Sequence, residues 1–142
     1  MGEEEYHANL AKEKRNRAIK EFASRRYTTV GVLALAAVSE AVDACASKEN
    51  IHFDSDPSTA LSKKGEWLNK NFPDLAEAFK TLLETHEFFR NPKHSLEFSR
   101  VPVYLAWWFR FPNPEYAKLA EKAIDAMEKI FDALYKKTGI EF

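Results

Sequence analysis

The stretch "TTVGVLALAAVSEAVDACAS", Thr28–Ser47, is apolar on nearly every side up to Val38. A helix with one apolar stripe lies on a protein surface; a helix that is apolar all round is enclosed by other elements. The stretch therefore predicts a central helix with the rest of the chain packed around it. Gly31 and the alanines let neighbouring backbones approach closely. The longest apolar run, Val30–Val38, is interrupted by Gly31 and falls short of the roughly 20 residues a bilayer span needs, so no membrane partner is expected. Glu40 and Asp43 break the pattern. Either they face solvent near the helix end, or one of them points into a site.

Outward from this helix the apolar spacing stays helical, with no alternation long enough to build a sheet. A first helix is predicted from about Glu4 to Arg25, with Leu10, Ala11, Ala18 and Phe22 on its apolar stripe. Downstream, Asp56 as N-cap and Pro57 at the first helical position start a third helix that runs to about Asn71. Its inward residues are Leu61, Trp67 and Leu68, followed by Phe72. Pro73 and Asp74 restart the chain into a fourth helix, to about Phe89, with Leu75, Phe79, Leu82, His86 and Phe89 on one face. Pro92 cannot continue that helix and biases Asn91 away from helical geometry. "VPVYLAWWFRFPNP", 101–114, is aromatic and bounded by prolines, and predicts a short helix over Val103–Arg110. Asn113 and Pro114 open a last helix with Tyr116, Ala120, Ala123, Met127, Ile130 and Leu134 in one stripe and Gly139 as terminator. The expectation is an all-α, up-and-down bundle of four to five helices, forming one domain over residues 1–142.

The bulk properties fit one globular domain. The chain has 142 residues, 45% hydrophobic and 30% charged, with a net charge of -1. That balance gives no global attraction to nucleic acid or membrane, so any such binding rests on local charge. A single cysteine, Cys45, excludes an intramolecular disulfide and a zinc site built of cysteines. The N-terminal stretch lacks the apolar region of a secretory leader, and a reduced, cytoplasmic setting is expected. No Gly-rich phosphate loop and no serine-hydrolase elbow occur.

The strongest chemical pattern is "FFRNPKH", 88–94, which places Arg90, Asn91 and His94 at a helix end. Phosphodiester cleavage needs a fixed cation for the phosphate and a group that titrates near neutral pH. Arginine supplies the first through its planar fork of donors, and histidine the second. The same residue types also cap free carbonyls at helix C-termini, and spacing alone does not separate the two readings. His86 reads as a core histidine, His52 as a loop residue, and Cys45 as an inert buried thiol. His7 follows Glu4 at the Glu-x-x-His spacing of di-iron bundles, but those need the motif twice. The spacing recurs at Glu49 and His52, but His52 reads as a loop residue and not as part of a facing helix, so no metal or other cofactor is expected. Lys12, Lys14, Arg15, Arg17, Lys20, Arg25 and Arg26 crowd the first helix. They form either a solvated face or a phosphate-binding strip; Lys12 and Arg15 from it, with Lys93 of "RNPKH", are the candidate nucleic-acid contacts. "AWWF", 106–109, reads as core or dimer contact, with base stacking as the alternative.

Taken together, "YHANLAKEKRNRAIKEFASRRYTTVGVLALAAVSEAVDACA", the histidine-bearing loop "ENIHF", "LSKKGEWLNKNFP", the element "RNPKH" and "AKLAEKAIDAMEKIFDALYKK" resemble the HEPN superfamily over nearly the full length. The resemblance implies a HEPN-like bundle that acts on or binds RNA or nucleotides as a homodimer. Active members share an Arg-x(4–6)-His motif at a dimer cleft and cleave RNA without metal. Here three residues separate Arg90 from His94. Carried over, Arg90 would hold the scissile phosphate, Asn91 would be the polar residue after it, and His94 would move protons at the ribose 2′-hydroxyl or the leaving oxygen. That is a toxin-type endoribonuclease, with an antitoxin as partner. Other members are non-catalytic and bind nucleotides or a small nucleotidyltransferase. A structural dimer without a ligand, joined through Val103–Phe111, is the reading from outside that family.

Overall fold

The computed structural model describes residues 2–53, 56–90 and 114–142. These contain five α-helices, and no strand occurs among the described residues: α1 (Glu3–Ala23), α2 (Tyr27–Ser47), α3 (Pro57–Asn71), α4 (Ala76–Arg90) and α5 (Pro114–Thr138), with a 3₁₀ turn, Pro73–Leu75, leading into α4. The all-α bundle is as the sequence pattern predicts. The short helix expected over Val103–Arg110 and the cap expected at Asn113 lie outside the described residues, as do Asn91, Lys93 and His94.

The helix ends have local causes. α1 stops at Ala23, two residues earlier than expected, because Arg25 takes a left-handed conformation at φ 63°. The Arg25 N–H donates to the Phe22 carbonyl and the Arg26 N–H to the Glu21 carbonyl, each at 3.0 Å. This is the double carbonyl closure that ends many helices. α2 stops the same way. Asn50 sits at φ 59°, its N–H donates to Ser47 at 3.0 Å, and the Ile51 N–H donates to Ala46 at 2.9 Å. Asn tolerates this region through its short polar side chain; Arg25 has no such help. Gly139, at φ +75°, closes α5 by donating to the Tyr135 carbonyl at 2.7 Å. At the start of α3 the Asp56 carbonyl accepts from the Ala60 N–H at 2.9 Å, as an N-cap residue does.

The core centres on α2, as its composition requires. Val30, Ala34, Val38, Ala41, Val42 and Cys45 are fully buried. α1, α4 and α5 pack around this helix, and α3 touches it more lightly. α1 reaches α2 through alanines, Ala8, Ala11 and Ala18; Leu10, expected on that stripe, is only partly buried. α5 contributes Ala123, Met127, Ile130 and Leu134, all fully buried. Two glycines mark close approaches. A Cβ on Gly31 would lie 3.0 Å from a Phe89 ring carbon, and one on Gly65 would lie 2.9 Å from a Phe79 ring carbon. By length and composition α2 could cross a membrane, yet 67% of its most apolar window is buried inside the bundle; a core helix meets the same criteria. Cys45 lies at the α2–α5 contact, where its Sγ donates to Thr138 Oγ1 at 3.8 Å. Burial pushes this thiol up to about 11.

Candidate functional site

A link of three residues, Ser24–Arg26, joins α1 to α2, so the two helices run antiparallel as neighbours. Residues equidistant from the link then lie side by side. His7 on α1 meets the polar notch in α2 formed by Glu40 and Asp43, one turn apart. The His7 Nδ1–H donates to Glu40 Oε2 at 2.6 Å and lies 4.0 Å from Asp43 Oδ2. The ring tautomer follows from the acceptor, because an ionised carboxylate can only accept.

Two lysines close the cluster. Lys64 of α3 donates from Nζ to Asp43 Oδ2 and to Ser39 Oγ, both at 2.7 Å, and its ammonium lies 5.7 Å from the centre of the Phe53 ring. Lys14 reaches Glu40 Oε1 at 3.4 Å. The side chains of Lys64, Asp43 and Glu40 are 10%, 15% and 18% exposed. Desolvating charges costs several kcal/mol per ion unless they are paired and hydrogen-bonded, and here each carboxylate has a cation and a second polar contact. Beside the cluster opens a cleft of about 250 Å³ lined by His7, Asp43, Ser47, Phe53 and Lys64, with His52 and Glu3 at its edge. His52 Nδ1 is 3.0 Å from Glu3 Oε2. This is the one group of three or more metal-capable side chains among the described residues: the ligand atoms of His7, Glu40 and Asp43 all lie within 4.8 Å of one another.

The residues singled out from the sequence fall elsewhere. Arg90 is the last residue of α4, as expected. Its side chain is 71% exposed, with Nη2 at 3.6 Å from Glu87 Oε1. Its proposed companions Asn91 and His94 are outside the described residues. His86 is half-buried on α4, and His52 is an exposed loop residue.

The basic strip is less free than its sequence suggests. Lys12 is exposed, but Arg15 grips Glu128 of α5 with a two-pronged bond, Nε to Oε1 at 2.8 Å and Nη2 to Oε2. Its guanidinium also stacks 5.1 Å from the Phe131 ring centre. The bond to Glu128 raises the Arg15 pKa further. Arg26 pairs with Glu21 in the same manner, and this bond holds the Glu21 carboxyl below the usual carboxylate range. Arg15 therefore joins α1 to α5 and is a costly residue to lend to a phosphate.

His7 was visible in the sequence only beside Glu4, and its partners lie 33 and 36 positions away on another helix. The two acidic residues on the apolar helix were the available signal; what they face depends on the α1–α2 register. The chain matches no protein-family model, no curated protein and no solved structure in the three comparisons made.

Proposed function

We propose that this chain is a HEPN-like bundle that binds RNA or nucleotides through the end of α4, with Arg90, Asn91 and His94 as a metal-independent ribonuclease site. The observation that supports this reading is Arg90 itself. It is placed at the helix C-terminus with its side chain 71% exposed, and among the described residues its ion pair is with Glu87 at 3.6 Å. A guanidinium so placed can turn its fork of donors to a phosphate at little cost. Lys12, Arg17, Lys20 and Arg25 are exposed on and just after α1 and supply sequence-independent attraction. Arg15 is withdrawn from that role by Glu128. The working form in this reading is a homodimer, and sedimentation at micromolar concentration tests it.

In this chemistry Arg90 holds the scissile phosphate. His94 takes the proton of the ribose 2′-hydroxyl, the 2′-oxygen attacks phosphorus, and the P–O5′ bond breaks with the 5′-oxygen leaving as a hydroxyl that takes its proton from solvent, so a 2′,3′-cyclic phosphate remains. The test is single-stranded RNA with EDTA present. Cleavage to the cyclic phosphate is expected, with His94→Ala losing cleavage and keeping binding, and Arg90→Ala losing both. The three-residue spacing between Arg90 and His94 favours a second reading, a non-catalytic bundle that binds nucleotides or a partner protein. Binding that weakens steeply with salt, without cleavage, would select it. RNA that is neither bound nor cut leaves Arg90 as a helix-end residue and ends the ribonuclease and RNA-binding readings.

A further inference from the structure

We propose that His7, Glu40 and Asp43 form a binding site for a divalent transition-metal ion of the zinc and manganese class, between α1 and α2. The proposal is independent of the RNA reading. It starts from the donor set. One imidazole nitrogen and two carboxylate oxygens suit borderline ions such as Zn²⁺ and Mn²⁺ better than Mg²⁺ or Ca²⁺, which take oxygen alone. The spacing agrees. Bonds of roughly 2.0–2.2 Å to one ion put ligand atoms about 3–4 Å apart, and here the His7–Glu40 and His7–Asp43 separations are 2.6 and 4.0 Å. With the His7 proton moved from Nδ1 to Nε2, so that Nδ1 offers its lone pair, side-chain adjustment brings the three ligand atoms, all within 4.8 Å of one another, onto one centre.

Three further observations bear on the site. The donors are held by long, well-packed helices, so the ordering cost is already met by the fold. Two of them, His7 and Asp43, line a cleft of about 250 Å³ through which an ion and its waters can enter, and three protein ligands leave open positions on that side. The carboxylates also stand on α2, where the neighbouring Ala41, Val42 and Ala44 are fully buried; placing two charges there costs desolvation that an apolar pair would avoid.

Lys64 and Lys14 are the competitors. Each lies against one carboxylate, at 2.7 and 3.4 Å, and together they balance its two negative charges when no ion is bound. Binding a dication requires the Lys64 ammonium to leave Asp43 Oδ2. Its long stem lets it swing into the adjoining cleft, whose wall it already forms. This competition gives the proposal its sharpest test. If the cluster is only an ion-pair network, removing Lys64 weakens it and nothing else happens. If it is a metal site, removing Lys64 frees an oxygen and binding tightens.

The experiment is titration calorimetry of the whole chain with Zn²⁺ and with Mn²⁺, beside thermal melts with and without the ion. One equivalent is expected to bind, reversibly by EDTA, with a raised Tm. His7→Ala and Asp43→Asn should each weaken binding by at least roughly 100-fold, beyond the 10- to 100-fold typical of losing a hydrogen bond that merely supports a ligand. Lys64→Gln should bind tighter than the wild type, and His86→Ala, on α4 and outside the cleft, should bind as the wild type does. Should a variant fail to fold, Mn²⁺ broadening of wild-type amide resonances decides, with loss expected around His7 and Glu40 first. Wild-type protein that binds neither ion, binding that survives both His7→Ala and Asp43→Asn, or broadening centred elsewhere overturns the proposal.

Discussion

Lys64 shows how far one side chain can commit a protein. It stands on α3, 10% exposed, and its ammonium is shared between Asp43 and Ser39. Replacing one member of such a pair leaves the other charge half-buried and alone, which costs about 2–4 kcal/mol once some solvent access is allowed for. Lys64→Met should lower the urea midpoint accordingly, and Lys64→Met with Asp43→Leu should recover most of the loss. Cys45 makes the opposite kind of commitment. Burial raises its thiol from 9.0 to about 11, so the folded state keeps the proton while the unfolded chain releases it earlier. That stability is complete below pH 9 and lost as pH rises towards 11, amounting to about 2–3 kcal/mol. Urea titrations across that range should show the loss in wild type and lack this component in Cys45→Ala. At this scale the sequence was partly legible. Cys45 as an inert core thiol could be read from its apolar neighbours. The role of Arg15 could not, because Glu128 lies 113 positions away and only the docking of α5 on α1 brings them together.

Among elements, boundaries were most legible where turn chemistry is strong. α3 begins at Pro57 and ends at Asn71, as the Asp-Pro signal predicts. The stop of α1 was not legible, because an arginine at φ 63° carries no compositional mark. That conformation costs an ordinary residue on the order of 1 kcal/mol that glycine avoids. Arg25→Gly should therefore raise stability by about 1 kcal/mol in denaturant melts, against the fall seen for glycine inside a helix. The α3–α4 contact makes the reverse case. Gly65 lies inside α3, where alanine is intrinsically better by about 1 kcal/mol. The added Cβ would meet the buried Phe79 ring at 2.9 Å, and overpacking of that kind costs about 1–3 kcal/mol. Gly65→Ala should be net destabilising, and Phe79→Leu should be better tolerated in that background than alone. A double-mutant cycle measures the coupling.

For the whole molecule, the central placement of α2 was legible from its all-round apolarity, and the bundle followed from it. The site was not, since helix register and rotation decide which polar residues meet, and a heptad-like stripe leaves both loosely defined. Because α1 and α5 pack on α2, and α4 packs on both α2 and α5, none of them keeps a core of its own. Unfolding followed by far-ultraviolet dichroism and by tryptophan fluorescence should give coincident, single transitions. Loss of α1 before the rest would show that the Arg15–Glu128 and His7–Glu40 links do not bind it to the bundle.

The seam between α2 and α5 holds the chain's one sulfhydryl, shut away beneath Thr138. An alkylating reagent can reach it only during the moments when the packing around it opens. The labelling rate under native conditions thus counts those moments, and its ratio to the rate for an open peptide gives their free energy. Nature has fitted this protein with a single-site recorder of its own breathing, readable by mass with no engineered probe.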